Sequence, residues 1–181
     1  MLETASPTPV TAADLDRAES LIRSIPDFPQ PGVTFRDIMP LLADARALRD
    51  CVRAMIAPFE GTFDVVAGVE ARGFLLAGAA AMLADVGLIP LRKAGKLPKP
   101  AAAESYDLEY GTATIEATEE VRPGLRVLLM DDVLATGGTL AAADRLVRAL
   151  GGEVVGTTAL MELTALGGRA HVPEAHVLFR V

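Results

Sequence analysis

Residues 126–140, RVLLMDDVLATGGTL, narrow the possible folds of the 181-residue chain more than any other stretch. A continuous apolar run of this kind is the signature of a strand covered on both faces, and such strands belong to parallel sheets. Parallel neighbours must be joined by long crossovers, usually helices. Here the run ends in two adjacent acids and breaks within a few residues into Ala-Thr-Gly-Gly-Thr. A helical pattern over 138–150 follows and closes at LGG, where glycine suits a left-handed C-cap. The same grammar recurs in the strand DVVAGV (64–69), the small-residue helix 74–84, the strand GLIPLRK (87–93) and the strand EVVGTTALMEL, with HVLFRV as an edge strand. Alternation from 64 to 161 predicts an α/β fold, a central mostly parallel sheet flanked by helices.

The N-terminal third reads differently. SPTP lies in a loose tail over residues 1–10. From Thr11, a Thr-x-x-Asp cap signal starts a helix that places Leu15, Ala18, Ile22 and Ile25 on one face, and Pro26 stops it. PDFPQPGVTFRDI is a proline-punctuated loop leading into an extended stretch. A second amphipathic helix, DARALRDCVRAMIAPF, has Asp44 as its cap and turns Leu48, Val52, Met55, Ile56 and Phe59 inward. SYDLEYG and TATIEA alternate as a solvent-facing strand pair around Gly111. There is no repeat, low-complexity tract or linker, so residues 1–181 are expected to form one domain.

Composition excludes several classes. A net charge of −7 argues against general attraction to nucleic acid or an anionic membrane. Cys51 stands alone, which excludes an internal disulfide and fits a reducing compartment. One cysteine and two histidines, His171 and His176, are too few for a Cys/His zinc site. The stretch MLETASPTPVTAADLDR is not patterned as a secretory signal. The longest apolar run, 73–84, falls short of the ~20 residues of a membrane span. A cytoplasmic location is the expectation.

The opening stretch also carries chemistry. In an open α/β sheet, ligands sit beyond the carboxyl ends of the strands, where Asp131, Asp132 and the loop Thr136–Thr139 would lie. The helix N-terminus after Gly137 and Gly138 offers free N–H groups to a phosphate, and Thr136 and Thr139 add hydroxyls. A carboxylate only accepts, so the acids suit sugar hydroxyls or metal-bound water. Together these features fit a ribose 5′-phosphate; a helix cap followed by a glycine turn is the plainer alternative. Consecutive strand side chains diverge, so both acids reach one ligand only if the chain already turns at Asp132. Other phosphate signatures fail: no G-x-G-x-x-G follows a strand, and GVEARGF has Phe74 where a P-loop needs lysine.

These residues resemble the phosphoribosyl-pyrophosphate (PRPP) signature of type I phosphoribosyltransferases. IRSIPDFPQPGVTFRDIMPLL (22–42), GVEARGF (68–74), PLRKAGKLP (90–98) and SYDLEYGT (105–112) are similar, in order and spacing, to the adenine phosphoribosyltransferase branch. The resemblance covers about Leu21 to Arg169. It implies the type I phosphoribosyltransferase fold with a small mobile hood over 94–117. The implied reaction is adenine plus PRPP giving AMP and pyrophosphate in purine salvage. Mg2+ would arrive with PRPP, with no direct protein ligand, and the protein would be a homodimer.

The same resemblance distributes the roles. Ala135, Thr136, Gly137, Gly138 and Thr139 would hold the 5′-phosphate, and Asp131 and Asp132 the ribose hydroxyls. Glu70, Ala71 and Arg72 would form the pyrophosphate loop, with a non-proline cis peptide at Glu70–Ala71; many relatives carry serine at position 71. Arg92, Lys93 and Lys96, with Lys99 nearby, would add positive charge for pyrophosphate. Glu109 would be the general acid/base, acting with Arg72 on the leaving group, and Tyr110 would order its loop. Val33, Thr34, Phe35 and Arg36 would read adenine, with Phe35 and Leu163 sandwiching the ring. Two other readings stay open: a transferase for another purine base, and a non-catalytic PRPP-binding regulator. The regulator usually carries an added DNA-binding domain, which the acidic chain and the short segment before PGVTFRD do not favour.

Overall fold

The computed structural model describes residues 9–107 and 111–181. Residues 1–8 of the tail predicted over 1–10, and Leu108, Glu109 and Tyr110, therefore lie outside the described residues. The chain forms two compact units, Met1–Ala54 and Met55–Val181.

In the first unit, α1 (Ala12–Glu19) begins as the cap signal predicts. Thr11 and Asp14 exchange hydrogen bonds in a full capping box. The helix is shorter than its apolar period implies. It ends at Ser20, whose hydroxyl donates to Arg17 O at 2.7 Å. Ile22 and Ile25 are not helical: β1 (Arg23–Pro26) pairs antiparallel with β2 (Thr34–Asp37), setting Ile25 opposite Phe35. Pro26 thus ends a strand rather than a helix, a tertiary pairing that overrides local periodicity. The intervening turn contains a cis Phe28–Pro29 bond, and Asp27 Oδ1 accepts from Gly32 N–H at 2.8 Å. A short α2 (Met39–Ala43), absent from the sequence reading, follows Asp37, whose Oδ1 accepts from Met39 N–H at 2.9 Å. Then comes α3 (Ala45–Ile56), capped by Asp44 through Ala47 N–H at 2.9 Å. Its buried apolar residues are Ala47, Cys51, Val52, Met55 and Ile56, with Asp50 buried among them; Leu48 is only half-buried. Burial pushes the Cys51 thiol up to about 12, which leaves it protonated and inert.

The second unit is a seven-stranded sheet in the order β5-β6-β4-β3-β7-β8-β9. Strands β3 (Val65–Val69), β4 (Gly87–Lys93), β7 (Arg126–Leu134), β8 (Glu153–Glu162) and β9 (His176–Arg180) run parallel. The pair β5 (Ala102–Asp107) and β6 (Thr112–Ala117) adds an antiparallel edge, β6 joining β4. This pair is less solvent-facing than its alternation implies, because Ile115, Glu116 and Ala117 are buried. Two helices complete the layers, α4 (Gly73–Ala84) and α5 (Gly138–Ala149).

Their placement follows from strand alternation. Val65, Ala67 and Val69 join the core that contains Leu140, Leu146 and Val147 of α5. Gly68, between them, faces the other way: a Cβ there would meet Ala77 of α4 at 2.7 Å. Hence α4 and α5 cover opposite faces of the sheet. From β3 the chain moves to β4 on one side, and from β7 to β8 on the other, so the order reverses between β3 and β7. At such a switch point the loops after adjacent strands part and leave a crevice beyond their carboxyl ends.

Candidate active site

The crevice is built at the carboxyl ends of β3, β4 and β7, where the predicted phosphate, ribose and pyrophosphate groups lie. After β3, Glu70, Ala71 and Arg72 make the turn into α4, and the Glu70–Ala71 peptide is cis. Arg92 and Lys93 end β4, and Lys96 follows it. Asp131 and Asp132 lie near the end of β7, with Ala135–Thr139 following as the entry to α5.

The two acids behave differently from ordinary strand neighbours. Val127 and Leu129 face the α5 core, and so does Leu134, which a strict two-residue period would send to the opposite face. Both carboxylates bear on the Arg72–Gly73 turn. Arg72 Nη2 lies 2.7 Å from Asp132 Oδ2, and a Cβ at Gly73 would sit 2.8 Å from Asp131 Oδ1. The first residue of α4 must therefore be glycine for the helix to start this close to β7. Asp131 Oδ1 also accepts from Asp132 N–H at 2.8 Å. The chain does not make the turn at Asp132 that the sequence reading required, since β7 runs on to Leu134; the two acids meet instead at the close approach of α4.

Asp131 and Asp132 are 7% and 4% exposed. Burial, and then the neighbouring Asp132 charge, push the Asp131 carboxyl well above the usual carboxylate range. Burial raises Asp132 as well, against the opposing Arg72 guanidinium. Despite the Arg72 contact, Asp132 Oδ2 receives no hydrogen bond of good geometry among the described residues. A buried acceptor left in this state is costly unless a ligand hydroxyl completes it.

The basic groups are brought together around an acid. Glu70 Oε1 accepts from Lys96 Nζ at 2.5 Å, Oε2 accepts from Lys93 N–H at 2.9 Å, and Arg92 Nε lies 3.5 Å from Oε2. The Lys96 hydrogen bond holds the Glu70 carboxyl below its ordinary range, against its burial. The Glu70 side chain thus anchors the cations rather than offering itself to an anion. Glu116, which the sequence reading missed, does likewise for the main chain, accepting from Gly95 N–H at 3.2 Å. Lys99 is exposed.

At the entry to α5, Gly137 is left-handed (φ 83°) and no side chain caps the helix. The first helical bond runs from Ala141 N–H to Gly137 O, so the N–H groups of the first turn have no side-chain partner there. Leu163, just beyond β8, donates its N–H to Leu134 O at 2.9 Å and so lies at the same end of the sheet. The other predicted base-reading residues, Val33, Thr34, Phe35 and Arg36, belong to the first unit. There Phe35 packs edge-on against Phe28, with ring centroids 5.3 Å apart, and the Arg36 guanidinium donates to Ser24 Oγ.

An arginine on a β3–α4 turn, an acid pair on β7 and an uncapped glycine-rich helix entry have the chemistry to suit a phosphorylated sugar. The model of the phosphoribosyl transferase domain matches residues 35–177, and the chain belongs to the phosphoribosyltransferase family. It is similar over most of its length to adenine phosphoribosyltransferases. That of Saccharopolyspora erythraea is 56% identical over 163 residues, 90% of this chain and 88% of the relative. The crystal structure of the Rhodothermus marinus adenine phosphoribosyltransferase is 47% identical, with a TM-score of 0.89 over 94% of this chain and 100% of that one. The Giardia lamblia enzyme, solved in complex with 9-deazaadenine, is 37% identical with a TM-score of 0.85, covering 92% and 97%.

Proposed function

We propose that this enzyme transfers the 5-phosphoribosyl group from PRPP to adenine, releasing pyrophosphate and forming AMP in purine salvage. The observation that carries the reading is the meeting of Arg72 with Asp132 at the sheet's switch point, beside the uncapped entry to α5. The N–H groups after Gly137 suit the 5′-phosphate, and Asp131 and Asp132 suit the ribose 2′- and 3′-hydroxyls. Arg72, with Arg92, Lys93 and Lys96, suits the pyrophosphate. Lys96 would exchange the Glu70 carboxylate for it.

Displacement at the anomeric carbon passes through an oxocarbenium-like state, in which the ring turns positive as the leaving group gains charge. Fixed carboxylates beside the ring and guanidinium groups on the pyrophosphate favour that separation. In this reading Glu109, outside the described residues, takes the proton from the base nitrogen. Val33–Arg36 read the base edge, and the segment 94–117 closes over the site to exclude water.

Among the described residues no cluster of three metal-ligating side chains exists. Two adjacent carboxylates without a third fit Mg2+ carried on substrate phosphates rather than a protein cage. Bound that way, Mg2+ would neutralise charge on the pyrophosphate beside Arg72, Arg92, Lys93 and Lys96.

A homodimer and a cytoplasmic location complete the proposal. The dimer is supported by α4, whose outer side leaves Leu75, Met82 and Leu83 exposed beside Leu88 of β4. No helix among the described residues is long and apolar enough to cross a membrane.

The test is pyrophosphate release from PRPP and Mg2+ with a panel of bases. Adenine should react far faster than hypoxanthine, guanine, xanthine or orotate. Equal rates across the panel would overturn the base assignment, and no release with any base would favour a binding protein over an enzyme.

A further inference from the structure

The phosphate loop is supported from behind by a segment that carries no recognised motif, the turn Gly167–His171. The contact is main chain against main chain. A Cβ at Gly137 would lie 2.5 Å from Gly168 O, and one at Gly168 would lie 2.3 Å from Ala135 O. The turn is itself fastened. Arg169 Nε donates to both oxygens of Glu162, at 3.1 and 2.9 Å, and Nη1 donates to Pro173 O and Ala175 O at 3.0 and 3.2 Å.

From this backing, His171 Nδ1 reaches Thr136 O at 3.0 Å. A carbonyl only accepts, so Nδ1 carries the proton in this contact. The Thr136–Gly137 peptide is trans, and in a trans peptide the C=O and the N–H point in opposite directions. Tying the Thr136 carbonyl to His171 therefore aims the Gly137 N–H the other way. His171 approaches from a groove of about 530 Å3, lined also by Asp144, Arg145 and Arg148 and away from the acid pair. The N–H thus faces away from that groove. The peptide beside a glycine is the one most easily turned over, because glycine accepts either sign of φ. Turned over, it would present a carbonyl oxygen where a phosphate oxygen has to bind.

We propose that His171 is a positioning residue: it locks the Thr136–Gly137 peptide with its N–H toward the 5′-phosphate of the ligand. The proposal rests on the reading of Ala135–Thr139 as the phosphate loop.

Titration calorimetry with ribose 5-phosphate and, separately, pyrophosphate tests it on wild type, His171→Ala and His171→Asn. Asparagine places an N–H donor where Nδ1 stands. His171→Ala should bind ribose 5-phosphate about 10-fold more weakly, the scale of one hydrogen bond, with pyrophosphate binding unchanged. In turnover, KM for PRPP should rise by a similar factor with kcat held within about twofold. His171→Asn should recover most of the loss. The proposal is overturned if His171→Ala binds ribose 5-phosphate as wild type does, if it loses both ligands in parallel, or if asparagine fails to restore binding. A wild type that binds no ribose 5-phosphate overturns the functional reading, and this proposal with it.

Discussion

Asp131 and Asp132 are expensive to fold around, since burying a carboxylate opposes its ionisation. Asp131, raised by burial and by its neighbour, shows the cost most clearly. Its folded pKa lies above the unfolded value of about 3.9, so the native state binds the proton more tightly. Its contribution to stability is therefore whole below about pH 4 and is lost as pH rises through the folded pKa. Asp131→Asn keeps an oxygen for the Asp132 N–H while removing the charge. The variant should melt above wild type at pH 7, and the gap should close toward pH 4 in a thermal series. The same variant should bind ribose 5-phosphate less tightly. A gap that stays constant with pH would show that the buried charge is not what the substitution relieves.

At the scale of elements, the site depends on how closely α4 starts against β7. Gly73 makes that approach possible: an added Cβ would lie 2.8 Å from Asp131 Oδ1 and 3.0 Å from Met130 O, and one of these atoms is main chain. Gly73→Ala should destabilise by about 1–3 kcal/mol, as overpacking does, and should lower turnover by displacing Arg72 from the acid pair. Denaturant unfolding with an unchanged m-value reads the first effect, and the base assay reads the second. A variant with wild-type stability and activity would show that α4 has room to shift. Gly73 was visible in the sequence only as the last residue of EARG; its need for a bare Cα appears when two distant elements meet. The α1 helix is the opposite case. Leu15, Ala18, Ile22 and Ile25 fit a helical stripe, yet the second half of that stripe is claimed by pairing of β1 with β2. A window of sequence cannot weigh a partner strand about ten residues away.

For the molecule as a whole, α4 is apolar on nearly every side, an unusual state for a helix at a surface. Met82 is 84% exposed and Leu75, seven residues earlier on the same stripe, is 52% exposed. If this side seats a second copy, Met82→Glu should convert the species seen by analytical ultracentrifugation from dimer to monomer at micromolar concentration. A variant that sediments as wild type does would remove α4 from the interface.

What the sequence determined by itself was local or periodic in kind. The apolar run of β7 announced a strand buried on both faces, and the glycines after it announced a helix entry. The Thr11–Asp14 pair announced a helix start that the structure keeps. These signals are legible because adjacent residues carry them and because the two periods of side-chain direction are fixed by the backbone. The tertiary structure decided everything that depends on two segments meeting. It set the reversal of strand order between β3 and β7, the approach of Asp131 and Asp132 to the Arg72–Gly73 turn, the holding of Lys96 by Glu70, and the hydrogen bond from His171 to the Thr136 carbonyl. Each is a contact between residues far apart in the chain, and the energy that selects it comes from packing and desolvation, to which no single segment contributes alone.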